Sequence, residues 1–419
     1  MATKTLEQRL HYIDHLRGFM FILMAIDHAL HAYAEKWGFF WFFWDEKRTP
    51  IFDAFYVHNQ AIIMPMLFFI FGMFVLPSLK HRGFFSYVKE RFFRLGLIYM
   101  FGITFLVPLL SYPKYEQHEE PGISYLEFWR DIFFHERFQA GPMWVLHGIL
   151  GFTLLLIGIY YFTPPLYRLT MRFFQKCAER PLFGYMTFGL MSAIILFISD
   201  ILWGAPWWTN FGWIFSLQSS RMILIFVYFL AGSALMQSGL LHNSTFLKML
   251  TDNLYKIAIL YLALAFGFMF YTTSYYDSTY NEVIMRTARA SGGWFSVDTS
   301  TWMTLIPKYA PPILLRTTLH GFLCLTQALL LLAVFHKYFS KPTALWTSLA
   351  RNAFGIFILH ETIVVWLQYY FNETSIPMFV KFFTCVLIGI SLSWLISAKF
   401  LLKVPILERI LSPKPKEIA

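Results

Sequence analysis

Ten apolar stretches, each near the length of a bilayer crossing, run through this chain and leave few folds open to it. They fall at 17–34, 60–79, 95–110, 144–162, 182–202, 219–237, 257–271, 313–335, 353–370 and 378–398. Crossing a bilayer as a helix takes about 17–25 mostly apolar residues, and the two shortest stretches, 95–110 and 257–271, have room to extend into their loops. Composition agrees: 57% of residues are hydrophobic and only 14% charged, whereas a soluble domain carries about 25% charged residues. The expected fold is an all-α integral membrane bundle of about ten helices, with 1–419 forming a single transmembrane domain. Residues 1–18 (MATKTLEQRLHYIDHLRG) are too polar before the first apolar run for a cleavable signal.

The net charge of +10 does not point to nucleic acid, because the basic residues sit in short segments between apolar runs. Lys80, Arg82, Lys89, Arg91 and Arg94 form one such segment; Arg168, Arg172, Lys176 and Arg180 form another. With loops alternating sides, roughly two-thirds of the 34 Lys and Arg fall on the side of the termini. Asp45, Glu46, Asp53, Glu116, Glu119, Glu120, Glu127, Asp131 and Glu136 fall on the other. Positive residues favour the cytoplasmic side, so both termini are expected there, in a multi-pass membrane protein. Cys177, Cys324 and Cys385 have no metal-ligand spacing and imply no disulfide framework. The longer outer loops are rich in Trp and Tyr, as in WGFFWFFW (37–44). Such rings suit a belt at the headgroup level or a platform for a sugar-like acceptor.

Ionisable side chains inside a span cost several kcal/mol, so each is a functional hypothesis. The first span, Y12-I-D-H-L-R-G-F-M-F-I-L-M-A-I-D-H-A-L-H31, holds the most. Arg17 and His28 are eleven residues apart, which is three turns plus about 20°, so they share a face about 16 Å apart along the axis. Asp14 lies one turn before Arg17 and can hold its guanidinium. Burial in a low dielectric disfavours the charged form of a histidine, and a neutral imidazole at His28 can take the proton of an attacking hydroxyl. The plain alternative is a histidine satisfied by a neighbouring helix. Asp27 adjoins His28 in sequence and is a candidate catalytic carboxylate, although the helix turns it to another face.

Arg91 and Arg94, three apart at the start of the third span, suit a phosphorylated donor; membrane orientation and lipid phosphate explain basic residues there equally well. Arg316 and His320 lie at i,i+4 with Gln327 on the same side, His360-Glu361 falls in the ninth span and His147 in the fourth. These describe a polar path through the bundle. His11/His15 and His28/His31 have the helical spacing of metal ligands, but no third carboxylate or HExxH pattern joins them, so no metal is expected. A proton-coupled secondary transporter using the same buried groups is the alternative reading; no paired broken helices in two halves support it.

The run Y-I-D-H-L-R17-G followed by His28 resembles the opening signature of the acyltransferase-3 family of bacterial membrane O-acyltransferases. L67-F-F-I-F-G72, E90-R-F-F-R94-L, G141-P-M-W144-V-L and A350-R-N-A-F-G-I-F-I-L-H360 resemble its later motifs in order. The stretch L-L-K-V-P-I-L-E-R (401–409) resembles the branch that modifies periplasmic glucans. The family often has Ser-Gly after its phenylalanine pair; here Phe71 takes the serine's place. The resemblance implies acetyl- or succinyl-coenzyme A as donor from the cytoplasm and a carbohydrate hydroxyl outside as acceptor. It implies His28 as catalytic base, Arg17 as its partner, and Arg91 and Arg94 as donor-binding residues. Trp144, His147, Arg316, His320, His360 and Glu361 are the candidates for binding substrate.

Overall fold

The computed structural model describes residues 10–203, 209–211, 215–242, 245–274 and 299–412. Among these, nine helices are long and apolar enough to cross a membrane. A tenth, α1 (His11–Leu30), is 20 residues long, about 30 Å at 1.5 Å per residue, and differs in carrying Asp14, Arg17 and Asp27. Together they form an all-α membrane bundle.

The second crossing, Pro50–Arg82, is built from α2 (Pro50–Gln60), α3 (Ile63–Met73) and α4 (Val75–Arg82). The third, Phe84–His118, joins α5 (Phe84–Phe101) to α6 (Val107–His118) through a π-helical turn at Gly102–Leu106. Proline explains that turn. Pro108 and Pro113 have no N–H for the carbonyls four residues back, Thr104 and Leu109. Two indoles supply the missing donors: Trp129 Nε1 reaches the Thr104 oxygen at 2.7 Å and Trp366 Nε1 the Leu109 oxygen at 3.1 Å.

Next come α7 (Trp144–Phe162), the amphipathic α8 (Pro164–Glu179) and α9 (Pro181–Trp203). A short antiparallel ribbon of β1 (Thr209–Phe211) and β2 (Phe215–Leu217) precedes α10 (Ser219–Gln237). The short α11 (Thr245–Asp252) leads into α12 (Leu254–Tyr271). The chain finishes with α13 (Thr299–Tyr338), α14 (Ala344–Phe371), α15 (Met378–Lys399) and the small α16 (Pro405–Leu411). The apolar stretches at 95–110 and 257–271 do extend, to Phe84–His118 and Leu254–Ser274.

Two helix seams set the core. α3 and α10 cross closely enough that a Cβ on Gly72 would strike the Phe229 carbonyl, and one on Gly232 the Phe69 carbonyl. Small residues permit such backbone approach where lipid offers no hydrophobic drive between helices. Along the other seam, α1 and α14 meet in rising order: Arg17 with Ala350, Phe21 with Phe357, His28 with His360. The two helices therefore run parallel. A Cβ on Gly18 would come to 3.3 Å from the Ala350 nitrogen.

Much of the aromatic segment after α1 packs inward. Trp37, Trp41, Phe42 and Phe43 are buried in the protein. Asp53 pins the segment by accepting the backbone N–H groups of Glu35, Lys36 and Trp37 at 2.9–3.0 Å. Asp45 adds a buried ion pair with Lys381 of α15 at 2.8 Å.

Candidate active site

His28 lies in the last turns of α1, facing α14. Its Nδ1 is 2.9 Å from His360 Nε2, and the two rings stack with centroids 5.1 Å apart. The proton positions follow from the partners. His360 Nδ1 sits 2.9 Å from the Ile356 oxygen and 3.0 Å from the Phe357 oxygen. Carbonyls only accept, so this nitrogen carries a hydrogen, and in a neutral ring Nε2 then holds the lone pair. That lone pair accepts the Nδ1–H of His28. His28 Nε2 is left with its own lone pair available. The His28 side chain keeps 14% of its surface accessible, while Glu361 beside it keeps 4%, so the imidazole with the available lone pair is also the reachable member of the group.

Glu361 places Oε2 3.6 Å from His28 Nδ1, and no hydrogen bond reaches that oxygen among the described residues. Trp41 closes the group from the segment that follows α1, with its ring 5.3 Å from His28 and 4.6 Å from His31. It is held by Gln368, whose Oε1 accepts the indole N–H at 2.9 Å while its Nε2 donates to the Ala29 oxygen at 2.8 Å. Neither Trp41 nor Gln368 is a candidate in the sequence, where they read as one aromatic among many and one amide in a span.

The carboxylate that accompanies His28 is not the one adjacent in sequence. Asp27 is turned away to His31, whose Nε2 is 3.4 Å from Oδ2, and to Gln60, whose Nε2 donates to Oδ2 at 3.1 Å. The helix itself causes this, since neighbouring residues on it point about 100° apart. Gln60 in turn receives Arg221 of α10, at 2.9 Å on its backbone oxygen and 3.0 Å on Oε1. Arg316 pairs with Asp200 of α9, and the His320 ring packs 5.1 Å from Phe268. The expected polar path thus holds a His28–His360–Glu361 group and a second set around Asp27, Arg221 and Arg316, joined through His31, whose ring lies 5.7 Å from that of His28. Trp144 stacks on Phe68 and His147 meets the edge of Tyr99.

At the other end of α1, Arg17 is held by Asp14 at 3.2 Å and donates to the Ala350 oxygen at 3.3 Å. Phe21 and Met24, both buried, lie on the α1 face between Arg17 and His28. Arg91 lies over the Tyr87 ring at 5.0 Å. Arg94 donates to the Ile410 oxygen of α16 at 2.9 Å and pairs with Glu90, which also binds Arg82. The two arginines therefore differ: one rests on an aromatic face and the other ties the third crossing to α16.

The ligating atoms of His28, His360 and Glu361 lie within 4.8 Å of one another, a spacing a cation could bridge. This supplies the third carboxylate that the spacing of His28 and His31 along α1 lacks. A cation there would take lone pairs from His28 Nδ1 and His360 Nε2 together, which requires His28 in the tautomer opposite to the one its hydrogen bond to His360 assigns.

A family model described as an acyltransferase domain matches residues 10–398. None of the curated proteins and none of the solved structures compared with the chain matches it.

Proposed function

Because the chain belongs to the acyltransferase-3 family and is a multi-pass membrane acyltransferase, we propose that it moves a short acyl group onto a carbohydrate hydroxyl. The donor is acyl-coenzyme A, acetyl or succinyl, reaching the bundle from the cytoplasmic side of an inner membrane. The acceptor is a glucan, polysaccharide or lipid-linked sugar on the outer side. The observation that carries this reading is the His28–His360 hydrogen bond, which leaves a lone pair on Nε2 of the partly exposed His28 side chain.

In the step this supports, the acceptor oxygen attacks the thioester carbon as His28 Nε2 takes the hydroxyl proton. The tetrahedral intermediate collapses, the C–S bond breaks, and the imidazolium returns its proton to the leaving sulfur. Ester and free thiol result, and His28 is neutral again. While His28 is positive, the carboxyl of Glu361, 3.6 Å from Nδ1, lies where a compensating charge lowers the barrier. His360 keeps the ring in the productive tautomer, so His360 and Glu361 act through His28 as positioning residues and not as substrate ligands. Arg91 and Arg94 supply positive charge for the donor's phosphates. Arg17, on the α1 face that also carries His28, meets the donor between them.

Purified protein in nanodiscs tests this with acetyl- and succinyl-coenzyme A. His28→Ala should abolish thioester turnover while the fold survives. Mass spectrometry of surface glycans from cells with and without the gene should show a lost acyl mass. The proposal fails if the protein neither binds nor hydrolyses any acyl-coenzyme A.

A further inference from the structure

At the end of the bundle bearing the basic loops lies a cavity of about 430 Å³, apart from the His28 group. Phe69 of α3, Phe188 of α9, Leu235 of α10, Leu250 of α11, Ile257 of α12 and Leu332 of α13 line it. Neither α1 nor α14 contributes a wall. Protein interiors are otherwise close-packed, and this volume falls in the range of about 300–1,000 Å³ typical of small-molecule sites. Water would find few partners against such walls. Hydrocarbon is the chemistry that fits.

Two amphipathic helices that do not cross the bilayer close the cavity from the basic end. α8 turns Phe174 and Ala178 into it, and α11 turns in Phe246 and Leu250. The outward side of α8 is as regular as its inward side. Arg168, Arg172, Lys176 and the helix-ending Arg180 recur every four residues and are all exposed, so they form one row along the helix. Lys176 leans over the Phe183 ring at 5.4 Å, at the start of α9 where the cavity begins. Membrane orientation asks only for basic residues somewhere in this loop. It does not ask for one row on the helix that roofs an apolar cavity.

We propose that this cavity holds one acyl chain of an anionic phospholipid, whose phosphate rests on the basic row of α8. Chain and headgroup are recognised by the two faces of the same helix. Basic side chains attract anionic headgroups, an attraction a zwitterionic lipid would not realise, so the site selects phosphatidylglycerol-like lipid over phosphatidylcholine. The site is independent of acyl transfer at His28.

Cys177 offers a direct readout, because it lines the cavity and is half-buried while Cys324 and Cys385 are buried. The full-length protein is placed in nanodiscs of phosphatidylcholine alone or with phosphatidylglycerol, and maleimide labelling of Cys177 is followed alongside native mass spectrometry. Phosphatidylglycerol should protect Cys177 and remain bound as a discrete added mass; phosphatidylcholine should do neither. Arg172→Gln/Lys176→Gln/Arg180→Gln, all at exposed positions, should lose both effects. Ala328→Phe, which fills the cavity, should lose the bound lipid yet keep Cys177 shielded. Equal labelling and retention in the two lipids would overturn the proposal. So would displacement of the retained lipid by acetyl-coenzyme A, which would make the cavity part of the donor's route. None of these readouts depends on turnover, so either result leaves the reading of His28 standing or falling on its own test.

Discussion

Replacing His360 with leucine should lower kcat while leaving the affinity for the acyl donor in place. His360 Nε2 accepts the Nδ1–H of His28 at 2.9 Å, and leucine leaves that donor inside the bundle with only the Glu361 oxygen nearby, at 3.6 Å and beyond hydrogen-bond reach. An unsatisfied buried donor costs about 1–3 kcal/mol, and the ring becomes free to put its hydrogen on Nε2, which removes the base. At 1.36 kcal/mol per factor of ten, kcat should fall by about 5- to 150-fold. Single-turnover transfer from radiolabelled acyl-coenzyme A to glycan from cells lacking the gene would measure it. His360→Asn provides the control, because an amide oxygen can accept the same hydrogen bond; it should recover most of the rate. If leucine changes only KM, or if asparagine is as slow as leucine while both variants melt like the wild type, His360 does not set the tautomer of His28.

Glu361→Gln removes the ionisable carboxyl 3.6 Å from His28 Nδ1 while keeping its size and shape. A tenfold or greater loss of kcat with unchanged donor KM is expected in steady-state kinetics. Breaking the buried Lys381–Asp45 pair from one side, as in Lys381→Met, should cost about 3–5 kcal/mol, and Lys381→Met/Asp45→Leu should recover part of it in a thermal-melt double-mutant cycle. Gly232→Ala drives a methyl into the Phe69 carbonyl and should destabilise by about 1–3 kcal/mol, seen as a lower melting temperature in detergent. Arg91→Gln should raise KM for acyl-coenzyme A alone. Arg94→Gln should raise it and also expose α16 to protease, because Arg94 holds the Ile410 carbonyl.

The nine crossings among the described residues, and α1 beside them, were legible because lipid imposes a minimum apolar length, and that length is written directly in the chain. Their ends were less so: α5 and α6 form one crossing of 35 residues that passes through two prolines, and the indoles that satisfy the freed carbonyls come from Trp129 and Trp366, distant in sequence. The shared face of Arg17 and His28 was also readable, since a helix fixes angles over eleven residues, and both residues meet α14. The partner of His28 was not. Helix geometry could turn Asp27 away but could not say that Glu361, more than three hundred residues on, would take its place.

What the sequence determined by itself is whatever follows from one helix and the bilayer: which segments cross, which end is basic, and which residues of α1 share a side. The tertiary structure alone decided which helices are neighbours. That choice rests on packing, through small residues such as Gly18, Gly72 and Gly232 that let particular backbones touch. Neighbourhood then put His360 and Glu361 beside His28, gave Asp27 to Gln60 and His31, and folded Trp41 inward over the site, because a polar group removed from water must find its partner wherever packing brings one.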